Sequence, residues 1–552
     1  MWFLYLKTML LVKAIRCKQV MSKFFKIFSK YLLLILVAIL FECVFSKLAL
    51  SLVLNLVENI LFAIVLICPL YCFGNNKLKS YYLNVSFVVF SVFLFVETAF
   101  YYLFKTIFTE SAIFVAFDTN SEETKEFIGF YFDTPIIVLG ISLLVVTLFL
   151  LTKLNKLSLQ FPRIATKMSL LAFGIIILLK FSGLIIYNLP FMIARSAVGY
   201  HIESSKLGDY AKDKMGSFTN VERSIKIYGE EIYVVIVGES TARSHLGIYG
   251  YYRNTTPLLD AMKDELTIYN KVISPDTYTI ASLTKVLTLG NYENPDAKYN
   301  GSIIQLLNQA GFKTYWISAQ KPLGANDSYV TKIGMGASES YFLNIKNAKE
   351  KTLYDEVLVK KMHEVLQDKN DKKVVFLHTL GTHMNYKYRY PEHYNVFKDI
   401  PRSKFKKDVI YSQINAYDNA VRYTDYIVKS VIESVKSKNV TSAVLYFSDH
   451  GEEVYDDIEF SGHFRDMVRT KNVYEIPFVL WQSEKYKQNR NLFSNQDRKY
   501  MSDDLFHSMA DLFCIKAKDV DSSRSIFSEH LRERTRIVFD TLDYDAYFKT
   551  GD

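Results

Sequence analysis

The chain has 552 residues, half of them hydrophobic and only 22% charged, with 41 Phe, 39 Tyr and a formal net charge of +9. That composition excludes disorder, a collagen and a disulfide-rich miniprotein. At about 150 residues per domain the length would hold three to four soluble domains, but the apolar residues crowd into the first 190 positions. The positive charge forms no Lys/Arg block and no nucleic-acid motif, so nucleic acid is not expected as a partner and an anionic membrane surface is the simpler reading.

In chain order, residues 1–30 form a basic segment, and Met21 within it offers a second start; no A-x-A-like cleavage site follows. Five apolar stretches come next, at about 31–50, 52–73, 81–107, 134–152 and 168–190. Each is near the roughly 20 residues a helix needs to cross the hydrocarbon core. The first two must form a tight hairpin. Glu97, inside the third, is expected to face a neighbouring helix or a wet cavity. Lys and Arg before the first span, at Lys77 and Lys79, and from Lys153 to Lys167 mark those segments as cytoplasmic. Residues 109–133 carry Glu110, Asp118, Glu122, Glu123 and Glu126 against Lys125 and belong outside. An odd span count then places the rest of the chain outside too. Four of the five cysteines precede residue 100, so only Cys514 lies in the polar half and no disulfide framework exists there.

Residues 191–230 turn polar, with Gly199, Gly208 and Gly216 as punctuation, and read as a tether. From 231 onward the pattern is α/β. Apolar runs at Ile232–Val237, Thr314–Ile317, Val374–Leu377, Ala443–Phe447 and Pro477–Trp481 read as buried strands. Helical periodicity fills 302–310, 352–367, 411–437 and 503–513. Alternating strands and helices predict a mostly parallel sheet covered on both faces, with chemistry at the carboxyl ends of its strands.

Those ends read Gly238-Glu239-Ser240, then His378 with His383 in the following loop, then Ser448-Asp449-His450-Gly451. Glu239, Asp449 and His450 make a ligand set suited to Zn2+ with an oxygen nucleophile completing the shell. The stretch Ser274–Lys285 (SPDTYTIASLTK) offers several hydroxyls, and the helix-like run after Thr279 can turn its N-terminal N–H groups toward a phosphate. Taken singly, Glu239 reads as a helix cap or surface carboxylate and His383 or His463 as satisfied loop histidines. Their joint placement at strand ends, on the side assigned as outside, is what points to a site.

Val235–Leu259 (VIVGESTARSHLGIYGYYRNTTPLL), Ser274–Lys285, His378–His383 (HTLGTH), Ser448–Glu453 (SDHGEE) and Gly462-His463 together resemble the membrane-anchored phosphoethanolamine transferases of the alkaline phosphatase/sulfatase superfamily. The resemblance covers nearly the whole chain. It implies a five-helix transmembrane domain at 31–190, a bridging segment at 191–230 and an alkaline-phosphatase-like periplasmic domain at 231–552, in the inner membrane of a bacterium. It also implies that Glu239, Thr279, Asp449 and His450 hold one zinc ion, with a second metal accommodated near His383 and His463. Thr279 would be the nucleophile, with Thr277 as nearest rival. His383 and His463 would contact the phosphoryl group, and Thr119, Asn120 and Glu123 would meet the donor ethanolammonium.

The implied reaction moves phosphoethanolamine from phosphatidylethanolamine to lipid A, lipopolysaccharide core or another envelope glycan or protein, through a phosphothreonine; lipid A members of the family underlie polymyxin resistance. Two departures bear on this. Pro275 and Lys285 stand where lipid A enzymes carry a cysteine pair, which weakens any transfer of acceptor identity. Thr382 replaces the Asn or Ser that many members place before the first phosphoryl-contacting histidine. The rival readings are a phosphoglycerol transferase of the same superfamily and a non-catalytic envelope sensor that binds metal or phosphate.

Overall fold

The computed structural model describes residues 2–46, 49–109, 112–113, 116, 121–157, 159, 164–206, 210–320, 329–344, 353–463 and 470–549. Two compact units result: Met1–Phe117 with Phe127–His201, and Asp118–Glu126 with Ile202–Asp552.

The helices of the first part are α1 (Trp2–Phe45), α2 (Leu50–Ile67), α3 (Asn76–Phe104), α4 (Ser121–Tyr131), α5 (Thr134–Leu154), α6 (Ala165–Phe181) and α7 (Leu189–Lys206). Among the described residues four helical stretches are long and apolar enough to cross a bilayer: Met21–Phe45, Leu50–Tyr71, Asn76–Phe104 and Thr134–Leu154. The fifth expected span, 168–190, is interrupted. Its helix α6 has 17 residues, about 26 Å at 1.5 Å per residue, and ends at Gly183, whose φ of +76° suits glycine and stops the helix before a 3-10 turn. The basic N-terminal segment, expected to precede the first span, lies on the same continuous helix as that span.

Tyr31, Leu34, Phe87, Phe90, Ile136 and Leu143 pack in the middle of this unit, while Leu144, Val145, Leu148 and Phe149 face outward, the distribution a lipid solvent favours. Several of its buried polar groups pair across helices, as the lack of water in a bilayer favours. Glu97 accepts from Asn59 Nδ2 at 3.0 Å, Glu58 from Asn188 Nδ2 at 2.7 Å, and Ser91 meets Thr147 at 2.7 Å. Glu97 therefore faces a neighbouring helix.

The second unit is built on a seven-stranded sheet: β1 (Glu231–Gly238), β2 (Leu266–Ile268), β3 (Lys313–Ser318), β4 (Glu339–Phe342), β5 (Lys372–His378), β6 (Thr441–Ser448) and β7 (Phe478–Gln482), in spatial order β2-β7-β6-β1-β5-β3-β4. Every residue of β1 is buried, which a strand covered on both faces demands. Tyr233, Val235 and Val237 alternate onto one face with Val374, Phe376, Leu445 and Phe447, under helices α8 (Thr279–Leu287), α9 (Ile303–Gln309) and α12 (Leu505–Leu512). Helices α10 (Glu356–Val365) and α11 (Asp408–Lys436) pack on the sheet as well, against β3 and β6 respectively.

The sheet is mixed. Strands β6, β1, β5, β3 and β4 pair in parallel, whereas β7 runs antiparallel to both β6 and β2. The run at 477–481, expected to join a parallel sheet, departs for a simple reason. The described residues between β6 and β7 contain no α-helix to carry the chain back to the other sheet edge, so it returns from the end at which it left. Strands β2 and β4 had no clear signal, being three and four residues long.

Parallel pairing sets Gly238 beside Ser448 and Val237 beside His378, so β1, β5 and β6 end level with one another. Close packing holds the loops that follow. A Cβ on Gly451 would sit 1.9 Å from the backbone O of Asn472, so Gly451→Ala is expected to cost about 3 kcal/mol of stability through forced backbone displacement. Thermal unfolding followed by circular dichroism should show a clearly lowered Tm, and an unchanged Tm would mean the loop yields freely.

His245, after β1, is buried with Nδ1 2.7 Å from Asp418 of α11 and Nε2 3.2 Å from Asp456. Burial alone would lower this imidazole, but the two carboxylates prevail and push it up to about 10. A histidine raised in the folded state contributes stability that is fully present below its unfolded value near 6.5 and is lost as pH rises through about 10. The Tm should fall between pH 7 and pH 10, and His245→Gln should both lower the Tm at pH 7 and flatten that slope.

Candidate active site

Glu239 leaves β1 and Asp449-His450 leave β6 at the same sheet edge. Ser240 fixes the geometry between them. It holds φ +54°, a left-handed conformation unusual for a residue with a Cβ, and several bonds enforce it. Its N–H donates to Asp449 Oδ1 at 3.0 Å, and its carbonyl accepts from Thr382 Oγ1 at 2.7 Å and Tyr417 OH at 2.8 Å. Strain held by so many partners is typical of a functional turn.

Asp449 Oδ1 also accepts from the N–H of His450 at 2.8 Å, whereas Oδ2 is buried and accepts no hydrogen bond. His450 places Nδ1 2.8 Å from the carbonyl of Gly451, which makes Nδ1 the protonated nitrogen and leaves Nε2 facing Glu239 and Asp449 at 3.4 Å each. One ligand atom from each of Glu239, Asp449 and His450 lies within 4.8 Å of the others. An orphaned buried carboxylate oxygen, a second carboxylate and a bare imidazole nitrogen converging in this way fit a divalent cation.

Thr279 opens α8, and its Oγ1 lies 3.2 and 3.1 Å from the two Glu239 oxygens and 3.5 Å from His450 Nε2. Its rival Thr277 is buried with its hydroxyl unpartnered; among these two, Thr279 is the one whose oxygen meets the carboxylates. Ser282, one turn further along α8, donates to the backbone O of Asp449 at 2.5 Å and ties the helix to the β6 loop.

The electrostatics follow from burial and pairing. For Glu239 burial works against ionisation, yet the hydrogen bond and charge of His450, with Ser240 and His383, hold its carboxyl well below the usual range. Burial and the negative charge of Glu239 push Asp449 up to about 7. Burial would lower His450, but Asp449 and Glu239 raise it to about 10.

His463 and His383 complete the cluster. The His463 ring centroid is 4.3 Å from that of His450, and its Nδ1 is 2.6 Å from Glu452 Oε2. Glu452 is buried, and its other oxygen accepts from Tyr386 OH at 2.7 Å, which also meets Ser461 Oγ at 2.8 Å. Glu452, His450 and His463 form a second group with metal-ligand spacing. Burial pushes His383 down to about 3, with Glu239 opposing. Its loop is pinned by Asp355, which accepts from the N–H groups of Leu380 and Gly381 at 2.8 and 2.9 Å.

The structure thus brings Glu239, Thr279, Asp449, His450 and His463 together by direct contact and His383 within electrostatic reach. Thr119 and Asn120 lie outside the described residues, as does the side chain of Glu123. Three residues escaped sequence reading: Gln320, whose Nε2 donates to Glu239 Oε2 at 3.0 Å, Asp355, and Glu452. Gln320 had a usable signal, since it follows β3 by two residues at the same carboxyl edge; Asp355 precedes a helix and had none.

Comparison with known proteins agrees with this geometry. The sulfatase family model matches residues 231–515. Phosphoethanolamine transferase EptC of Escherichia coli K12 is 36% identical over 333 residues, 56% of this chain and 57% of that protein. Phosphoethanolamine transferase CptA of Salmonella typhimurium LT2 is 34% identical with the same coverage. The chain thus spans a little over half the length of these relatives. The crystal structure of the Escherichia coli EptC periplasmic domain in complex with Zn superposes with a TM-score of 0.57 and 35% identity, over 60% of this chain and 97% of that one. Integral membrane lipooligosaccharide phosphoethanolamine transferase A of Neisseria meningitidis shares the fold over 89% of this chain and 95% of its own, with a TM-score of 0.64 and 19% identity. With the matched segment starting at β1, running through every strand of the sheet and covering more than half of the chain, this protein belongs to the sulfatase family.

Proposed function

We propose that this chain is a membrane-anchored phosphoethanolamine transferase that takes the headgroup of phosphatidylethanolamine onto Thr279 and passes it to an envelope acceptor such as lipid A or another cell-surface glycan or protein. The observation that carries this reading is the Thr279 hydroxyl lying against Glu239 and beside His450, in a chain similar to named phosphoethanolamine transferases. Five passes through a bacterial inner membrane, the fifth made by α6 together with the 3-10 turn after Gly183, and residues 231–552 in the periplasm complete the proposal.

Glu239, Thr279, Asp449 and His450 would hold zinc, which supplies a Lewis acid for the phosphoryl oxygens and a lower pKa for the threonine hydroxyl. The protein's own groups do the remaining work. Glu239 accepts the Thr279 hydrogen bond and points the oxygen at phosphorus; Gln320 and Ser240 hold Glu239 in turn. The Thr279 hydroxyl gives its proton to Glu239 as the Thr279 Oγ–P bond forms and the bond from phosphorus to the glycerol oxygen breaks, and diacylglycerol leaves with a proton delivered by His463 while His383 contacts the phosphoryl group. In the second step His463, now neutral, takes the proton of the acceptor hydroxyl while its oxygen displaces Thr279, which recovers its own proton from Glu239. Glu452, bonded to His463 Nδ1, stabilises the imidazolium that this requires and leaves Nε2 for the exchange. Phosphoryl transfer asks chiefly for positioning and charge neutralisation, and the cluster supplies both.

Intact mass spectrometry of the full-length protein incubated with phosphatidylethanolamine should show one added phosphoethanolamine unit. Thr279→Ala should abolish the adduct and lower transfer by about 10³-fold or more, and chelation of zinc should prevent adduct formation in the wild type. An adduct from phosphatidylglycerol alone would instead identify a phosphoglycerol transferase.

A further inference from the structure

Among the described residues no hydrogen bond reaches the ring of His383, so its direction is set by the backbone on either side. On the N-terminal side that backbone is held twice over. Asp355 takes the N–H groups of Leu380 and Gly381, and Thr382 donates from its N–H and its hydroxyl to the backbone O of Glu239 at 3.0 and 3.1 Å. On the C-terminal side one side chain, Arg389, does the holding. Residues 384–389 fold back through Asn385, left-handed at φ +62°, and a 3-10 turn at Tyr386–Tyr388, which returns Arg389 to the start of the segment. Its Nε donates to the carbonyls of His383 and Met384 at 3.1 and 3.2 Å, and its Nη2 donates to Met384 at 2.7 Å.

Arg389 is itself buried, at 4% exposure, and a guanidinium so placed needs a carboxylate. Glu126 supplies it, in an ion pair with Nη2. A second bond runs alongside, because Asn385 Nδ2 donates to the backbone O of Glu126 at 2.8 Å. Glu126 lies on α4, between two membrane helices in sequence, yet residues 118–126 group with the second unit. It follows by three positions Glu123, which the family resemblance sets against the donor ethanolammonium. The same turn also reaches the other histidine, since Tyr386 donates to Glu452, the partner of His463.

We propose that Arg389 is a positioning residue for the transfer and Glu126 its anchor. The guanidinium fixes the His383 backbone, and with it the ring, for contact with the phosphoryl group; the carboxylate fixes the guanidinium from the segment expected to meet the donor headgroup. The proposal rests on the transferase reading, and in it neither residue touches substrate. An ion pair kept for stability alone would accept any cation. Positioning needs the fork, because a planar guanidinium meets a carboxylate and two carbonyls at once, whereas an ammonium on a flexible stem acts as a point charge.

Arg389→Lys and Glu126→Gln in the full-length, zinc-loaded protein separate the two roles. Quenched single-turnover mass spectrometry gives the maximal rate of Thr279 adduct formation and the phosphatidylethanolamine concentration at half that rate. Arg389→Lys, which keeps a charge opposite Glu126, should lower the maximal rate by about 10²-fold, the scale of a misplacement of about 1 Å, and Glu126→Gln by about 10-fold. Half-saturation should stay near the wild-type value in both, at a temperature where circular dichroism shows each variant folded. Should Arg389→Lys unfold, Asn385→Gly, which retains the left-handed turn and removes the second bond to Glu126, must still slow the reaction several-fold. Wild-type maximal rates with a lowered Tm would make the pair structural only and overturn the proposal. So would a loss carried wholly by half-saturation, which would make these residues donor-binding groups. A wild type that forms no adduct would sink the transferase reading and leave the positioning role to calorimetric titration with inorganic phosphate. There Arg389→Lys should weaken phosphate by about 10-fold; equal affinities, or no binding to the wild type, would overturn the proposal.

Discussion

The site depends on three parallel strands that stop at the same height. Because Gly238 pairs with Ser448 and Val237 with His378, the residues that follow β1, β5 and β6 emerge side by side, and functional groups separated by more than 200 residues in sequence meet within hydrogen-bonding distance. The register itself is held by burial. All eight residues of β1 are inaccessible, and a slip by one position would move every side chain to the opposite face and break both packed layers. Catalytic geometry is thus inherited from core packing, and the loops need only be short and stiff enough to preserve it. Ser240 in its left-handed conformation and Gly381, at φ +49° with no room for a Cβ beside the Glu239 backbone, provide that stiffness.

Placing two carboxylates and an imidazole in so buried a position is costly unless their charges are compensated. The compensation comes in layers. Backbone N–H groups of Ser240 and His450 satisfy one oxygen of Asp449, Ser240 Oγ and Gln320 satisfy Glu239, and the Gly451 carbonyl fixes the His450 tautomer. What these partners leave over is one bare oxygen on Asp449 and one bare nitrogen on His450, both pointing inward. The second layer selects which atoms remain available, and so leaves a group of ligand atoms that fits a small cation.

Much of this was legible in the sequence because the signals were local. The five longer strands stood out as apolar runs, and Glu239, His383, Asp449 and His450 followed them directly. Other features were not, for physical reasons. The reversed direction of β7 depends on a connection whose described residues hold no α-helix, which is not an apolar pattern. Glu452 looks like any acidic residue in a Gly-Glu-Glu loop until the fold brings Tyr386 and His463 to it from other segments. The fifth hydrophobic stretch has the composition of a span, yet Gly183 divides it, and hydropathy averaged over a window does not register one residue's backbone conformation. Thr279 against Thr277 is a matter of two residues at a helix start; the fold separates a hydroxyl that meets Glu239 from one buried without a partner.

The segment from His383 to α11 joins these arguments. This connection extends for some two dozen residues before α11 starts. Loops of that length without regular structure are uncommon in compact domains and are usually functional or disordered, and this one is ordered by specific bonds. Arg389 holds the His383 and Met384 carbonyls and pairs with Glu126, and Asn419 on α11 accepts from the N–H groups of Val396 and Phe397. Buried side chains from a helix thus fix a polar loop whose outward face carries Lys387, Lys398 and Tyr388. Such an arrangement offers little to folding stability, because its charged groups stay in water.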